Sequence, residues 1–342
     1  MKPKHLTQLL SKTIPASMPV LITGAPGIGK SDITAQAAAA AGAELIISHP
    51  AVSDPTDYKG LPWPDASKDS ARFLPFGEFH AALTAKTLTV WMLDDLGQAS
   101  PAVQAACMQL LLARRVNGHV LPDCVSFVAA TNRRTDRAGV TGILEPVKSR
   151  FAAIVELTAD VDDWCMWAIN HGIHSTLIAF LRFRPDLLSA FQPSQDLTNS
   201  PCPRTWASLA KLEALQLPAA IESEALTGAV GMGAATEYLA FRKLASALVS
   251  VDQILLDPRG APIPSRPAEL YAVSCALACK ANEKNLARVA TYAERMTTEG
   301  KGEFAALTLR DAVRRNSNLT RSDAFIKLAC GPLGALISGQ EN

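Results

Sequence analysis

The chain has few aromatics, 6% of its 342 residues, and almost no charge imbalance, with 33 Lys and Arg against 32 Asp and Glu. A net charge of +1 argues against a broadly basic nucleic-acid binder, so any partner must be recognised locally. No apolar run approaches the ~18 residues of a membrane span. Hydrophobic residues make up 48%, which argues against disorder. Seven cysteines occur at 107, 124, 165, 202, 275, 279 and 330, without a CxxC pair. An odd, scattered set suits a reducing cytoplasm better than a disulfide framework. Cys275 with Cys279, and His171 with His174, are close in sequence but lack the further ligands of a zinc site. Pro15, Pro19 and Gly24 interrupt the start, which leaves no continuous signal core, and the mature chain is expected to begin at Met1. The length suits about two domains.

What the sequence does contain begins at Pro19. Val20-Leu21-Ile22-Thr23 reads as a short buried strand, followed by Gly24-Ala25-Pro26-Gly27-Ile28-Gly29-Lys30-Ser31 and a helix-forming, alanine-rich stretch to Ala41, with Gly42 as C-cap. This is GxxxxGKS between a strand and a helix. Such a loop lets consecutive backbone N–H groups converge on crowded phosphate oxygens, and the helix N-terminus adds partial positive charge. Lys30 is expected on the β- and γ-phosphates and the Ser31 hydroxyl on Mg²⁺, which makes ATP and Mg²⁺ the expected ligands. The order of glycines and the terminal lysine disfavour a dinucleotide fingerprint.

A second apolar run, Leu88 to Leu93, ends in Asp94-Asp95 and matches a Walker B strand. Asp94 is assigned to the metal shell and Asp95 to positioning the attacking water. A third run, Val125 to Ala130, leads into Thr131-Asn132, whose amide could lie beside the γ-phosphate or the water.

With GAPGIGKS, VWMLDD, FVAATN and KSRF in this order, the chain resembles the AAA+ ATPases. The stretch from Asp94 to Ala106, with Pro101 and Gln104, is similar to the MoxR-type branch, which usually has Glu where this chain has Asp95. One missing methylene puts the reach to water in question. The resemblance implies an αβα sandwich with a central parallel sheet over residues 1–158, a helical lid over 159–256 and a helical extension over 257–342. It further implies that Asn132 acts as sensor 1, Arg150 as an arginine finger offered to a neighbouring subunit, and Arg204 as sensor 2 at the start of a lid helix. A finger in trans predicts a ring, expected to be hexameric. MoxR-type members commonly remodel or activate partners carrying von Willebrand factor A domains, so such a partner is expected, in the cytoplasm, with neither membrane nor nucleic acid involved. Two rivals are a nucleotide-gated scaffold with little turnover and a DNA-directed AAA+ motor, the second disfavoured by the neutral charge balance.

Other segments carry open readings. The cluster Arg133, Arg134 and Arg137 reads as a solvated loop that could compete for the finger role. The proline-rich segment Ser53 to Pro64 reads as an irregular loop, in which Tyr58-Lys59-Gly60 either grips a threaded peptide or forms a turn with Tyr58 or Trp63 packed down. Ala152 to Leu157 is expected to close the sheet. Thr205–Leu215, Ala219–Leu226 and Ala234–Leu255 read as helices, Asp257 to Pro264 as a linker, and Pro267 to Ile337 as a helical extension with Arg310, Arg314, Arg315 and Arg321 on a solvated face. Trp164, Trp167 and the stretch Phe180 to Phe183 are expected in the core.

Overall fold

A computed structural model describes residues 1–66, 70–136, 139, 142–193, 196–330 and 334. Arg137, and the part of the expected C-terminal helix beyond 330 other than residue 334, lie outside the described residues. The chain divides into two compact units, one of Met1–Asp160 with Phe191–Asp196 and one of Val161–Ala190 with Leu197–Asn342.

The first unit is built on five parallel strands: β1 (Val20–Thr23), β2 (Glu44–Ser48), β3 (Thr89–Leu93), β4 (Val125–Thr131) and β5 (Ala153–Glu156). Their order is β2-β3-β4-β1-β5. Strands covered on both faces can be apolar at every position, and β3 and β4 are buried throughout. Alternation sorts their side chains into two layers. Val20, Ile22, Val90 and Val128 face one core with Leu6, Leu10 and Ile14, which recur every fourth residue along the helix Pro3–Thr13 and just past it, and with Ile33 and Ala37 of the helix Lys30–Ala40. Leu21, Trp91, Phe127 and Ala129 face the other, with Val103, Cys107 and Leu110 of the helix Pro101–Ala113. The result is the αβα sandwich expected from the sequence, followed by an all-helical unit.

The Lys30–Ala40 helix stops where Gly42 adopts φ +66°. Gly42 N–H donates to Ala39 O and Ala43 N–H to Ala38 O, the paired bonds of a Schellman cap.

The segment expected to be irregular is ordered. Asp54 and Asp57 form a capping box, Pro55 occupies the first turn, and Pro55–Lys59 is a short helix ending at Gly60, φ +84°. A hairpin of Leu61–Pro64 with Ala71–Leu74 follows. Tyr58 is 1% exposed, stacks on Trp91 at 6.0 Å between ring centroids, and donates to Ser53 Oγ. It has packed down, the second of the two alternatives for Tyr58-Lys59-Gly60, since a ring inside the core cannot hold a passing chain. Trp63 instead is exposed on the hairpin.

In the second unit, Phe180 sits between Trp206, Tyr238 and Phe241, with ring centroids 5.3 to 5.6 Å away. A second core gathers Leu270, Val273, Leu277, Tyr292, Met296 and Phe304. The single helix read over Ala234–Leu255 is two, Met232–Ser246 and Val251–Leu256, because Ser250 and Gln253 form a capping box that starts the second. The Pro- and Gly-rich stretch after Asp257 is non-helical, and Arg295 and Tyr292 pin it by donating to the carbonyls of Pro258, Ala261 and Pro262.

Candidate nucleotide site

The strand order explains where the conspicuous residues gather. From β1 the chain crosses to β2 at the far edge, whereas from β4 it skips over β1 to β5. Adjacent strands whose continuations part in this way open a crevice at their carboxyl ends, the usual ligand position in parallel sheets. Gly24 to Ser31 follow β1, and Asn132 follows β4, so both border that crevice.

Within the loop, Gly27 and Gly29 take φ +72° and +103°, conformations costly for any residue with a Cβ. Gly24 is constrained differently: a Cβ there would lie 2.9 Å from Leu157 O, so the backbones approach too closely for a side chain. Ala25 and Ile28 are buried, Ile28 in the core beneath, and these anchor a loop whose intervening Pro26 is partly exposed. Gly29 caps the Lys30–Ala40 helix, so that helix presents its N-terminal N–H groups to the loop.

The side chains converge. Lys30, 7% exposed, donates from Nζ to Gly24 O (3.0 Å), Ala25 O (3.1 Å) and Asn132 Oδ1 (2.7 Å). Asn132 Nδ2 donates in turn to Asp95 Oδ1 at 3.2 Å. Ser31 Oγ donates to Asp94 Oδ2 at 2.6 Å, and Asp95 N–H to Asp94 Oδ1 at 3.1 Å. Asp94 stands directly after β3, where its N–H continues the ladder to Ser48 O. Asp95 turns the chain with φ +56°, a left-handed conformation that aspartate tolerates better than most residues. Thus Lys30, Ser31, Asp94, Asp95 and Asn132, drawn from three strand ends, form one polar cluster.

The donor set fits a magnesium-bound polyphosphate. A hydroxyl and a carboxylate side by side are the hard oxygen ligands that Mg²⁺ takes when phosphates and water complete its shell. Left-handed glycines and a helix N-terminus beside a buried ammonium suit the phosphates.

Arg150 and Arg204 stand on other elements. Arg150 follows the short helix Glu145–Lys148 and donates from Nη1 to Pro146 O at 2.5 Å and Ser149 Oγ at 2.9 Å. Its Nε is buried with no hydrogen-bond partner among the described residues. Arg204 is exposed in the first turn of the helix Pro203–Ala214 and belongs to the second unit. The Arg133 guanidinium is committed within its own unit, with three bonds to the Asp136 carboxylate and one to Glu156. Those bonds, Asp136 first, raise its pKa, while the side chain stays 40% exposed. Arg134 is exposed.

Gln104 entered the sequence analysis only through the resemblance of its segment, without a role; it is 1% exposed and uses its amide in three hydrogen bonds. The available signal was a glutamine, one of two with Gln109, inside a mostly apolar helix, PAVQAACMQLLLA.

Among the described residues no helix is long and apolar enough to cross a membrane. No protein-family model matches the chain, and no curated protein matches it. Among solved structures, the chain is similar to the RuvB Holliday junction branch migration motor of Thermotoga maritima, at 15% identity and TM-score 0.39, over 80% of this chain and 81% of that one. It is also similar to NtrX of Brucella abortus in complex with ADP, at 17% identity and TM-score 0.40, over 78% of this chain and 63% of that one.

Proposed function

We propose that the chain is a cytoplasmic, Mg-ATP-dependent AAA+ ATPase of MoxR type, assembled as a ring, with six subunits expected, that remodels or activates a partner protein carrying a von Willebrand factor A domain. The observation that carries the ATPase reading is the pair of contacts Ser31–Asp94 and Lys30–Asn132–Asp95, which sets a metal-ligating couple beside a cation, an amide and a second carboxylate. The partner class and the MoxR type rest on the resemblance in the segment Asp94 to Ala106. A core over 1–158, a lid over 159–256 and an extension over 257–342 complete the reading.

In this mechanism the N–H groups from Gly27 to Ser31 cradle the β- and γ-phosphates. The Lys30 ammonium exchanges neutral oxygens for phosphate oxygens, a gain because charge-assisted bonds are stronger. Ser31 and Asp94 would hold Mg²⁺, which would supply neutralisation of the phosphate charge. Asp95 orients the water that attacks the γ-phosphorus as the bond to the ADP oxygen breaks, and Asn132 fixes that carboxylate. Arg150 of an adjacent subunit meets the charge developing on the transferred group, a contribution worth about 10³–10⁵ in rate where such fingers occur. Arg204 reaches the nucleotide of its own subunit and links nucleotide state to the lid.

A second reading, a nucleotide-gated scaffold with little turnover, is favoured by Asp95 itself, which is shorter than glutamate and bonded to Asn132. Steady-state phosphate release at saturating ATP and magnesium separates the two. A rate that falls at least about tenfold in Asp95→Asn supports hydrolysis through this carboxylate. Equal rates in the two proteins remove Asp95 from the mechanism, and a wild-type rate at background selects the scaffold.

A further inference from the structure

Gln104 occupies the first turns of the helix Pro101–Ala113, and its amide faces two other stretches of chain. Nε2 donates to Ala99 O (3.1 Å) and Gly142 O (2.9 Å), while Oε1 accepts from Leu144 N–H (2.9 Å). The chemistry enforces this orientation, since a flipped amide would set its oxygen against two carbonyls and its nitrogen against an N–H. Gly142 N–H also donates to Gly97 O at 3.3 Å. On one side, Gly97 and Ala99 belong to the turn that leaves Asp95. On the other, Leu144 caps the helix Glu145–Lys148, which leads to Arg150. Val147 and Phe151 seat that second stretch in the same core as Val103 and Cys107, but apolar contacts are non-directional and do not fix its register. The Gln104 amide does.

We infer that Gln104 is a positioning residue for the proposed reaction: it holds the segment carrying Arg150 in register against the turn after Asp95, so that the arginine a subunit offers its neighbour is set in place. This rests on the reading of Arg150 as acting in trans. The test uses two variants of the full chain. Gln104→Met keeps the volume and removes all three bonds. Leu144→Pro removes one donor only, at a residue whose φ of −59° proline adopts and whose side chain is exposed.

Expected for both is Mg-ATP affinity within about twofold of wild type, and KM little changed, with kcat at least about tenfold lower in Gln104→Met and less reduced in Leu144→Pro. Mixing Gln104→Met with Lys30→Ala subunits, which supply an intact Arg150 segment but no working site, should restore turnover at the Gln104→Met sites. Full activity of the Gln104→Met ring overturns the proposal, as does a deficit that Lys30→Ala subunits fail to restore while they do restore Arg150→Ala subunits. If the Arg150→Ala mixture itself shows no recovery, the trans reading has failed and the proposal falls with it. If Gln104→Met loses its cooperative melt, Leu144→Pro decides alone by the same mixing experiment.

Discussion

Lys30 in the parallel-sheet unit and Arg182 in the helical unit are both cations 7% exposed, held in opposite ways. Arg182 is clamped by one carboxylate, Nη1 on Asp311 Oδ2 at 2.5 Å and Nη2 on Oδ1 at 3.1 Å, with a further contact from Nη1 to Cys275 Sγ. Burial pushes the Cys275 thiol up to about 11 against the pull of Arg182, and the Cys165 thiol nearby to about 12, so both stay neutral at physiological pH. A fork matched to a carboxylate leaves little to gain from a new partner. Lys30 donates to two carbonyls and an amide, acceptors that a phosphate oxygen can outcompete. One burial suits permanence, the other exchange.

Variants can break that contrast. Asp311→Ala leaves the Arg182 guanidinium buried without its carboxylate and is expected to cost about 3–5 kcal/mol in urea unfolding, the largest effect. Adding Arg182→Met to Asp311→Leu should recover most of the loss, because an apolar pair needs no compensation. Lys30→Met is the reverse case: turnover should fall about 10²–10³-fold in a phosphate-release assay, while the melting temperature stays level or rises. If Lys30→Met unfolds the protein as readily as Asp311→Ala, the two burials serve the same end and the contrast is wrong.

The smallest effect tests the pH sign. The Arg242 hydrogen bond lowers the Glu222 pKa below its ordinary 4.5, so the folded state holds its proton less tightly than the unfolded chain does. Its contribution is therefore present above about pH 4.5 and lost as pH falls through the lowered value. The pair is partly exposed, so Glu222→Gln should cost under about 1 kcal/mol at pH 7 and less in acid, read from urea midpoints across that window.

How much of this was legible depends on how local each signal is. GAPGIGKS between an apolar run and an alanine-rich stretch carries its geometry within a dozen residues, because glycine spacing and strand burial are read side by side. The carboxylates after Leu93 and the amide after Thr131 were visible for the same reason, as polar residues ending buried strands. Tyr58 was ambiguous because its fate depends on Trp91, 33 positions away, although Asp54-Pro55 and Asp57 already spelled a helix start. The Arg182–Asp311 pair spans 129 positions and joins two helices that periodicity describes only as amphipathic. Gln104 lies between these extremes, visible in the sequence as part of its segment's resemblance, while its bonds appear only once Gly142 and Leu144 are beside it.

The left-handed backbone at Asp95 bears on the question of the missing methylene. A longer acid at that position regains reach but must sit where L-residues other than asparagine and aspartate are strained, by roughly 1–2 kcal/mol. Main-chain geometry and side-chain length thus pull against each other at this one position.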